Sequence, residues 1–286
     1  MRLRLTFLLT AFLVPLLHAE TPRDAAVALY KAKHFPEART AFTDLAAAEP
    51  KNAEYHYYLG LIAERRNETD EAVNQLELAT SLDPKNSDYF ADLGDAYGSA
   101  AQKAGVFSKM GLAKKCQAAL EKAVELNPDN LAARNGLVSY YRAAPSFVGG
   151  GMSKAYDQAE EIRKRDPLMG ANVLGQLYIA DKKFDEAFAL FEDVLKKSPD
   201  HYLALYSIGR TSAQTGLRLD RGEACLRRCL ELTPVKGDPG FAAVHWRLGN
   251  IAEKRQNPTA ARVEYETALK IDPAFPQAKD SLAKLK

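Results

Sequence analysis

One pattern of small, aromatic and proline positions recurs along most of the chain. It restricts the possible folds more than any other feature. The segment 53–86, AEYHYYLGLIAERRNETDEAVNQLELATSLDPKN, carries Leu59-Gly60, Ala63, Ala72, Leu76, Ala79 and Asp83-Pro84. The markers return as Leu93-Gly94, Tyr97, Leu120, Ala123 and Asn127-Pro128, then as Leu174-Gly175, Tyr178, Phe184, Ala187, Phe191 and Pro199. Ile208-Gly209 and Pro234 mark another unit, and Leu248-Gly249, Ala261, Tyr265, Ala268 and Asp272-Pro273 the last. Phe35, Ala38, Phe42 and Glu49-Pro50 close an earlier unit, and Leu137, Tyr141, Ala155, Ile162 and Asp166-Pro167 complete the set. A fixed period of about 34 residues is the signature of stacked supersecondary units that cannot bury their apolar faces alone.

Within each half-unit the apolar residues recur at three- and four-residue spacing, the period of an amphipathic helix. Strand alternation is missing throughout. Gly60, Gly94, Gly175 and Gly249 let two helices approach, and Tyr97, Tyr141 and Tyr178 fill space one turn later. The proline after each second helix blocks its continuation. These markers resemble the tetratricopeptide repeat over nearly all of 22–286. The resemblance implies an all-α, right-handed superhelical solenoid of about seven helix-turn-helix repeats with a concave inner face. The repeats fall at 22–52, 53–86, 87–130, 131–167, 168–201, 202–234 and 242–275, and the Lys-rich stretch 276–286 reads as a C-terminal capping helix.

Two units depart from the pattern. Tyr97 and Cys116 are 19 positions apart, whereas Ala63 and Ala72 are 9 apart. The surplus is placed in AAQKAGVFSKMGLAKK, at the turn between the helices of unit three. Unit four carries AAPSFVGGGMSK at the corresponding place. The same turn of adjacent units projects on one edge of a solenoid. Val106, Phe107, Met110 and Leu112 are therefore expected beside Phe147, Val148 and Met152. They read either as a satellite core or as a partner-binding edge, for which Phe107, Met110, Phe147 and Val148 are the candidates. Gly149-Gly150-Gly151 reads as a flexible connector; an anion cradle would need a preceding strand, which is missing.

The N-terminus, MRLRLTFLLTAFLVPLLHAETP, has a basic start, an apolar run from Leu5 to Leu17 and Ala19 before a polar stretch. This is the layout of an export signal, 1–19, with the mature chain 20–286 starting at Glu20. The same run also fits an uncleaved anchor. No Cys follows for a lipid anchor, and no later run is long enough to span a membrane. Location outside the cytoplasm, in a periplasm or secreted, follows from the signal.

Catalytic chemistry is sparse. His34, His56, His201 and His245 match no metal-ligand spacing, and His56 and His245 share one packing slot. Cys116 and Cys229 occupy small-residue slots, with Cys225 one turn before Cys229; a weak metal or redox pair there is the alternative to buried packing. Acidic residues read as solvated charge on outer helical faces. No catalytic residue, metal site or cofactor is expected. The whole chain has 39 Lys+Arg against 37 Asp+Glu. Loss of Arg2 and Arg4 with the signal balances the two, which argues against a nucleic-acid binder that relies on phosphate neutralisation. By family analogy, the first helices line the groove with Asn135, Ser139 and Arg142; Asn172 and Gln176; Tyr206, Arg210 and Gln214; and Trp246, Asn250 and Glu253. The candidate partner-binding residues are Asn135, Arg142, Asn172, Gln176, Tyr206, Arg210, Trp246 and Asn250. The function expected is a non-catalytic protein- or peptide-binding scaffold or assembly factor. The alternative is a binder of a small or polymeric ligand such as a cell-wall fragment, favoured by a closed pocket. The clamp with which some family members hold acidic C-terminal peptides needs Lys, Asn and Arg at fixed slots, and the full set is missing.

Overall fold

The structure is a computed structural model and describes residues 21–285. The segment 1–19 read as an export signal, with its cleavage point, lies outside the described residues. Among the described residues there are fifteen α-helices and no strand. They pair as α1 (Pro22–Lys31) with α2 (Phe35–Ala48), α3 (Ala53–Arg65) with α4 (Thr69–Leu82), α5 (Ser87–Lys103) with α6 (Val106–Leu126), and α7 (Leu131–Ala143) with α8 (Met152–Arg165). Then come α9 (Pro167–Ala180) with α10 (Phe184–Lys197), α11 (Tyr202–Thr215) with α12 (Leu219–Glu231), α13 (Phe241–Lys254) with α14 (Pro258–Ile271), and α15 (Pro276–Lys284) at the end. Each helix packs on its sequence neighbours, and first helices also touch the first helix of the next unit, as α5 does α7 and α11 does α13. The chain is an all-α solenoid.

Local sequence sets the helix ends. Asn52, Asn86, Asn130, Asp166 and His201 precede first helices and accept hydrogen bonds from the free amides of the opening turn. Four of the turns between paired helices hold Lys33, Asn67, Lys182 or Gln256 at φ of 63°, 64°, 59° and 58°. A left-handed residue there reverses the chain in a few residues and fixes the antiparallel pairing.

Glycines set how closely the paired helices approach. A Cβ on Gly60 would lie 2.6 Å from Leu76 Cγ, and one on Gly175 would lie 2.1 Å from Phe191 Cζ. Gly94 meets Leu120, Gly209 meets Leu226 and Gly249 meets Tyr265 in the same way. The side chains seated on these glycines are the fully buried centre of each unit.

Charged residues link units at about one repeat length. Arg39 pairs with Glu68, Arg165 with Asp129, Arg221 with Glu192, Arg228 with Asp200, and Arg255 with Asp220 and Glu223. Arg23 pairs with Glu54, and Arg218 with Asp185. Each exposed pair is weak. Their separations, from 28 to 36 residues, tie these arginines to adjacent units.

The surplus residues of unit three are not a turn, as the sequence reading had them. They extend α5 to 17 and α6 to 21 residues, and only Ala104-Gly105 joins the two helices. The run from Gly98 to Ala113 is rich in Ala, Lys and other good helix formers, so both helices continue past the usual turn. Unit four does form a loop, with a short 3-10 turn at Ser146–Val148.

Candidate functional site

The first-helix face carries several exposed polar side chains that bond to no neighbouring unit. On α7, Asn135, Ser139 and Arg142 are exposed; on α9, Gln176 is exposed and Asn172 half-buried. Gln176 donates to Asn172 Oδ1 at 3.4 Å, one helical turn away. Asn172 and Gln176 lie on the face that a helical spacing of four residues predicts.

Units six and seven differ from the expectation. Tyr206 is 7% exposed and packs in the core among Phe191, Leu205, Ile208 and Leu248. The aromatic ring fills the space between α11 and its neighbours instead of lining open surface. Trp246 is half-buried, and its Nε1 donates to Ser281 Oγ at 3.0 Å. Its ring meets Phe275 edge-on at 6.0 Å, so Trp246 anchors the capping helix. Asn250 Oδ1 accepts from the Tyr265 hydroxyl at 2.7 Å.

Arg210 and Arg247 behave otherwise. The Nε of each is buried with no acceptor, the two unpaired buried side-chain atoms among the described residues. Arg134, at 5% exposure, is more deeply buried, yet its Nε donates to Pro128 O and its Nη1 to Gln158 Oε1, each at 2.8 Å. Burial lowers the pKa of Arg210; Tyr206 opposes the shift, and the neighbouring Arg247 adds a smaller lowering effect. Arg247 stacks on Trp246, its guanidinium carbon 3.9 Å from the ring centroid. Arg247 was missed from sequence because it sits two residues before Gly249, the slot of Asp92 before Gly94 and of Ser207 before Gly209. The same slot holds Tyr58 before Gly60 and Val173 before Gly175, so no sequence pattern marks Arg247.

The opposite half of the first-helix face is acidic. Glu64 on α3 and Asp92 on α5 are half-buried and not the solvated outer charges expected, while Asp95 beside them is partly open to solvent. Burial, reinforced by Asp92 and Asp95, pushes Glu64 up to about 7. Burial, with Asp92 beside it, pushes Asp95 up to about 6. Asp92 is also raised by burial, although the Tyr57 hydroxyl donates to it at 2.6 Å and opposes the shift. Asp95 points toward α7, where a Cβ on Gly136 would lie 3.3 Å from its Oδ1.

The insertion edge divides in two. Val148 is 5% exposed, and its carbonyl accepts from the Tyr140 hydroxyl at 2.5 Å. Leu112 and Met152 pack against the central core. Phe107, at 99% exposure, Met110 and Phe147 remain open to solvent. The turn of unit four does lie against α6, since a Cβ on Gly149 would meet Gln117 Oε1 at 2.5 Å. The triple glycine is structured. Gly149 has φ of 96°, and Gly150 presses on Ala144 O, 1.8 Å from where a Cβ would sit. The amides of Gly149, Gly150 and Gly151 donate to Ser146, Pro145 and Tyr141 carbonyls, which leaves none for an anion.

His56 lies between Gln75 Oε1 at 2.8 Å and Pro50 O at 3.0 Å, and His245 Nδ1 lies 2.7 Å from Glu264 Oε2. Both bridge the two helices of their unit from the shared slot. Cys116, Cys225 and Cys229 are free and buried. Among the described residues no cluster of three or more His, Cys, Asp or Glu is arranged to hold a metal. No described helix is long and apolar enough to cross a membrane.

Comparison with known proteins agrees with the geometry. Two tetratricopeptide repeat profiles match, one over residues 23–87, 172–217 and 211–278, the other over 97–130. No curated protein sequence matches the chain. A tetratricopeptide repeat protein from Parabacteroides merdae is similar in structure, with a TM-score of 0.65 at 15% identity over 92% of this chain and 96% of that one. The C-terminal part of a repeat protein from Cytophaga hutchinsonii gives 0.56 at 18% identity, over 92% and 99%. The human IFIT1 dimer, solved with m7Gppp-AAAA, gives 0.61 at 19% identity over 93% of this chain and 63% of that one. At these identities the likeness is one of fold, whereas the profiles cover more than half of the sequence: the chain belongs to the tetratricopeptide repeat family.

Proposed function

We propose that the protein is a non-catalytic scaffold or assembly factor that binds a protein or peptide segment along its first-helix groove, outside the cytoplasm. One observation carries this reading. Several arginines of the second helices are tied to a neighbouring unit, Arg39 to Glu68, Arg221 to Glu192 and Arg228 to Asp200. On the first helices Asn135, Ser139, Arg142 and Gln176 are exposed and tied to no neighbouring unit. A stack stabilised by neighbour contacts has no use for such a row in its own fold. Export rests on the N-terminal segment alone. Exposed Phe107, Met110 and Phe147 offer a second contact at the edge of units three and four.

A closed pocket would favour a small-molecule ligand. Two open depressions, one lined by Glu49–Ala53 and one by residues including Thr69, Asn74, Lys103 and Leu112, include none of the candidate groove residues. The test is capture of partners from the native extract by the mature protein and by the triple variant Asn135→Ala, Arg142→Ala, Gln176→Ala. Circular dichroism first establishes that both are folded. Capture lost in the variant supports the groove; full retention places the contact elsewhere.

A further inference from the structure

The groove ends differ in charge. At one end Glu64, Asp92 and Asp95 lie on adjacent first helices, α3 and α5. At the other, Arg210 and Arg247 lie on α11 and α13, which are also in contact. No ion pair or hydrogen bond to either guanidinium is present among the described residues, and both Nε atoms are desolvated without an acceptor. No carboxylate acts on Arg210; its titratable neighbours are Tyr206 and the like-charged Arg247. A buried Nε–H without an acceptor is costly, and a second cation beside it adds repulsion. The fold retains both where Arg134 shows that a buried arginine in this chain is otherwise fully bonded.

We propose that Arg210 and Arg247 form an anion-binding pole of the groove that receives the carboxylates of an acidic segment in a protein partner. This rests on the groove reading above. The guanidinium fork presents paired N–H donors that match a carboxylate. Arg247 is held in place by its stack on Trp246 and, through that ring, by the capping helix. A carboxylate bound there meets a guanidinium already held in place, so the protein has little reorganisation to do. A continuous polyanion is disfavoured, because its other end would run over Glu64, Asp92 and Asp95. A short acidic segment with neutral or basic residues toward α3 and α5 suits both ends.

The chain contains a single tryptophan, Trp246, which is a built-in reporter beside the site. The experiment titrates mature protein with acetyl-tetraglutamate-amide at physiological ionic strength and follows Trp246 emission. Acetyl-tetraglutamine-amide and 5′-phosphorylated tetra-adenylate are the comparison probes. The expected result is a saturable response to tetraglutamate, none to tetraglutamine, and binding about tenfold weaker in each of Arg210→Gln and Arg247→Gln, as for loss of one charge-assisted contact. Circular dichroism checks both variants; the wild-type comparison of the two peptides stands even if one of them fails to fold. No saturable response to tetraglutamate, an unchanged affinity in a folded Arg210→Gln, or tighter binding of tetra-adenylate than of tetraglutamate overturns the proposal. If tetraglutamate fails while the triple groove variant loses its captured partner, the acidic ligand is wrong and the groove stands. If that variant also keeps its partner, the groove reading falls as well.

Discussion

The glycine slot permits a sharp test by the smallest possible substitution. In Gly175→Ala the new methyl would sit 2.1 Å from Phe191 Cζ and 2.8 Å from Cε1 and Cε2. Carbon atoms in contact rest about 3.5–4.0 Å apart, so the ring must recede by about 1.5 Å. Phe191 is 2% exposed and enclosed by the core of units five and six, with no open side to move into. Overpacking of this kind costs about 1–3 kcal/mol, and a rigid aromatic ring places it near the upper end. Alanine recovers about 1 kcal/mol of helix propensity over glycine. The net expectation is a loss of about 2 kcal/mol. With an m-value of about 3 kcal/mol/M, the urea midpoint by circular dichroism falls by about 0.7 M. Gly111 on α6 is the internal control, because nothing lies within 4 Å of its Cβ position. Gly111→Ala keeps only the propensity gain of about 1 kcal/mol and raises the midpoint by about 0.3 M. An unchanged or higher midpoint for Gly175→Ala would show that the helix pair is not as close as described.

Titration gives the next expectation. Burial raises Glu64 to about 7 in the folded chain from a model-peptide value of 4.5, so the folded state binds protons more tightly than the unfolded one. Its contribution to stability is complete below about 4.5 and is lost as pH rises through about 7. Glu64→Gln should therefore raise the urea midpoint at pH 8 relative to wild type, with the gap closing toward pH 4; a gap constant across this range contradicts it. Burial pushes the Cys225 thiol to about 11 and the Cys116 and Cys229 thiols to about 12. Native protein should then resist a thiol reagent such as dithionitrobenzoate at neutral pH and react fully in denaturant; rapid labelling of the native protein would contradict this. The mass of the protein recovered from a periplasmic or secreted fraction should match a chain starting at Glu20, and an intact Met1 there counts against export.

The repeat was legible because each unit reuses the same few slots. Glycine, a large side chain facing it, and proline after the second helix constrain packing so strongly that other residues matter little. The insertions were legible in length but not in conformation. A repeat register marks surplus residues, yet Ala- and Lys-rich surplus next to a helix extends it, whereas the Pro and Gly of unit four force a loop. The groove was partly legible. Asn135, Arg142 and Gln176 fall on the open face that periodicity gives. Tyr206 and Trp246 do not, because an aromatic at a groove slot of one unit can be covered by the next unit or by the cap. The charge separation was hidden altogether. It depends on which side chains from units far apart in sequence share one face, and on which of them the fold leaves unpaired.

The central claim is that the first-helix face, and not the outer helices, meets the partner. The most direct measurement is site-specific photo-crosslinking in the native compartment, with benzoylphenylalanine placed singly at Asn135 and Gln176 on first helices and at Leu78 and Val263, exposed on second helices. The account predicts discrete partner adducts from Asn135 and Gln176 and none from Leu78 or Val263. Adducts formed only from the second-helix positions would contradict it.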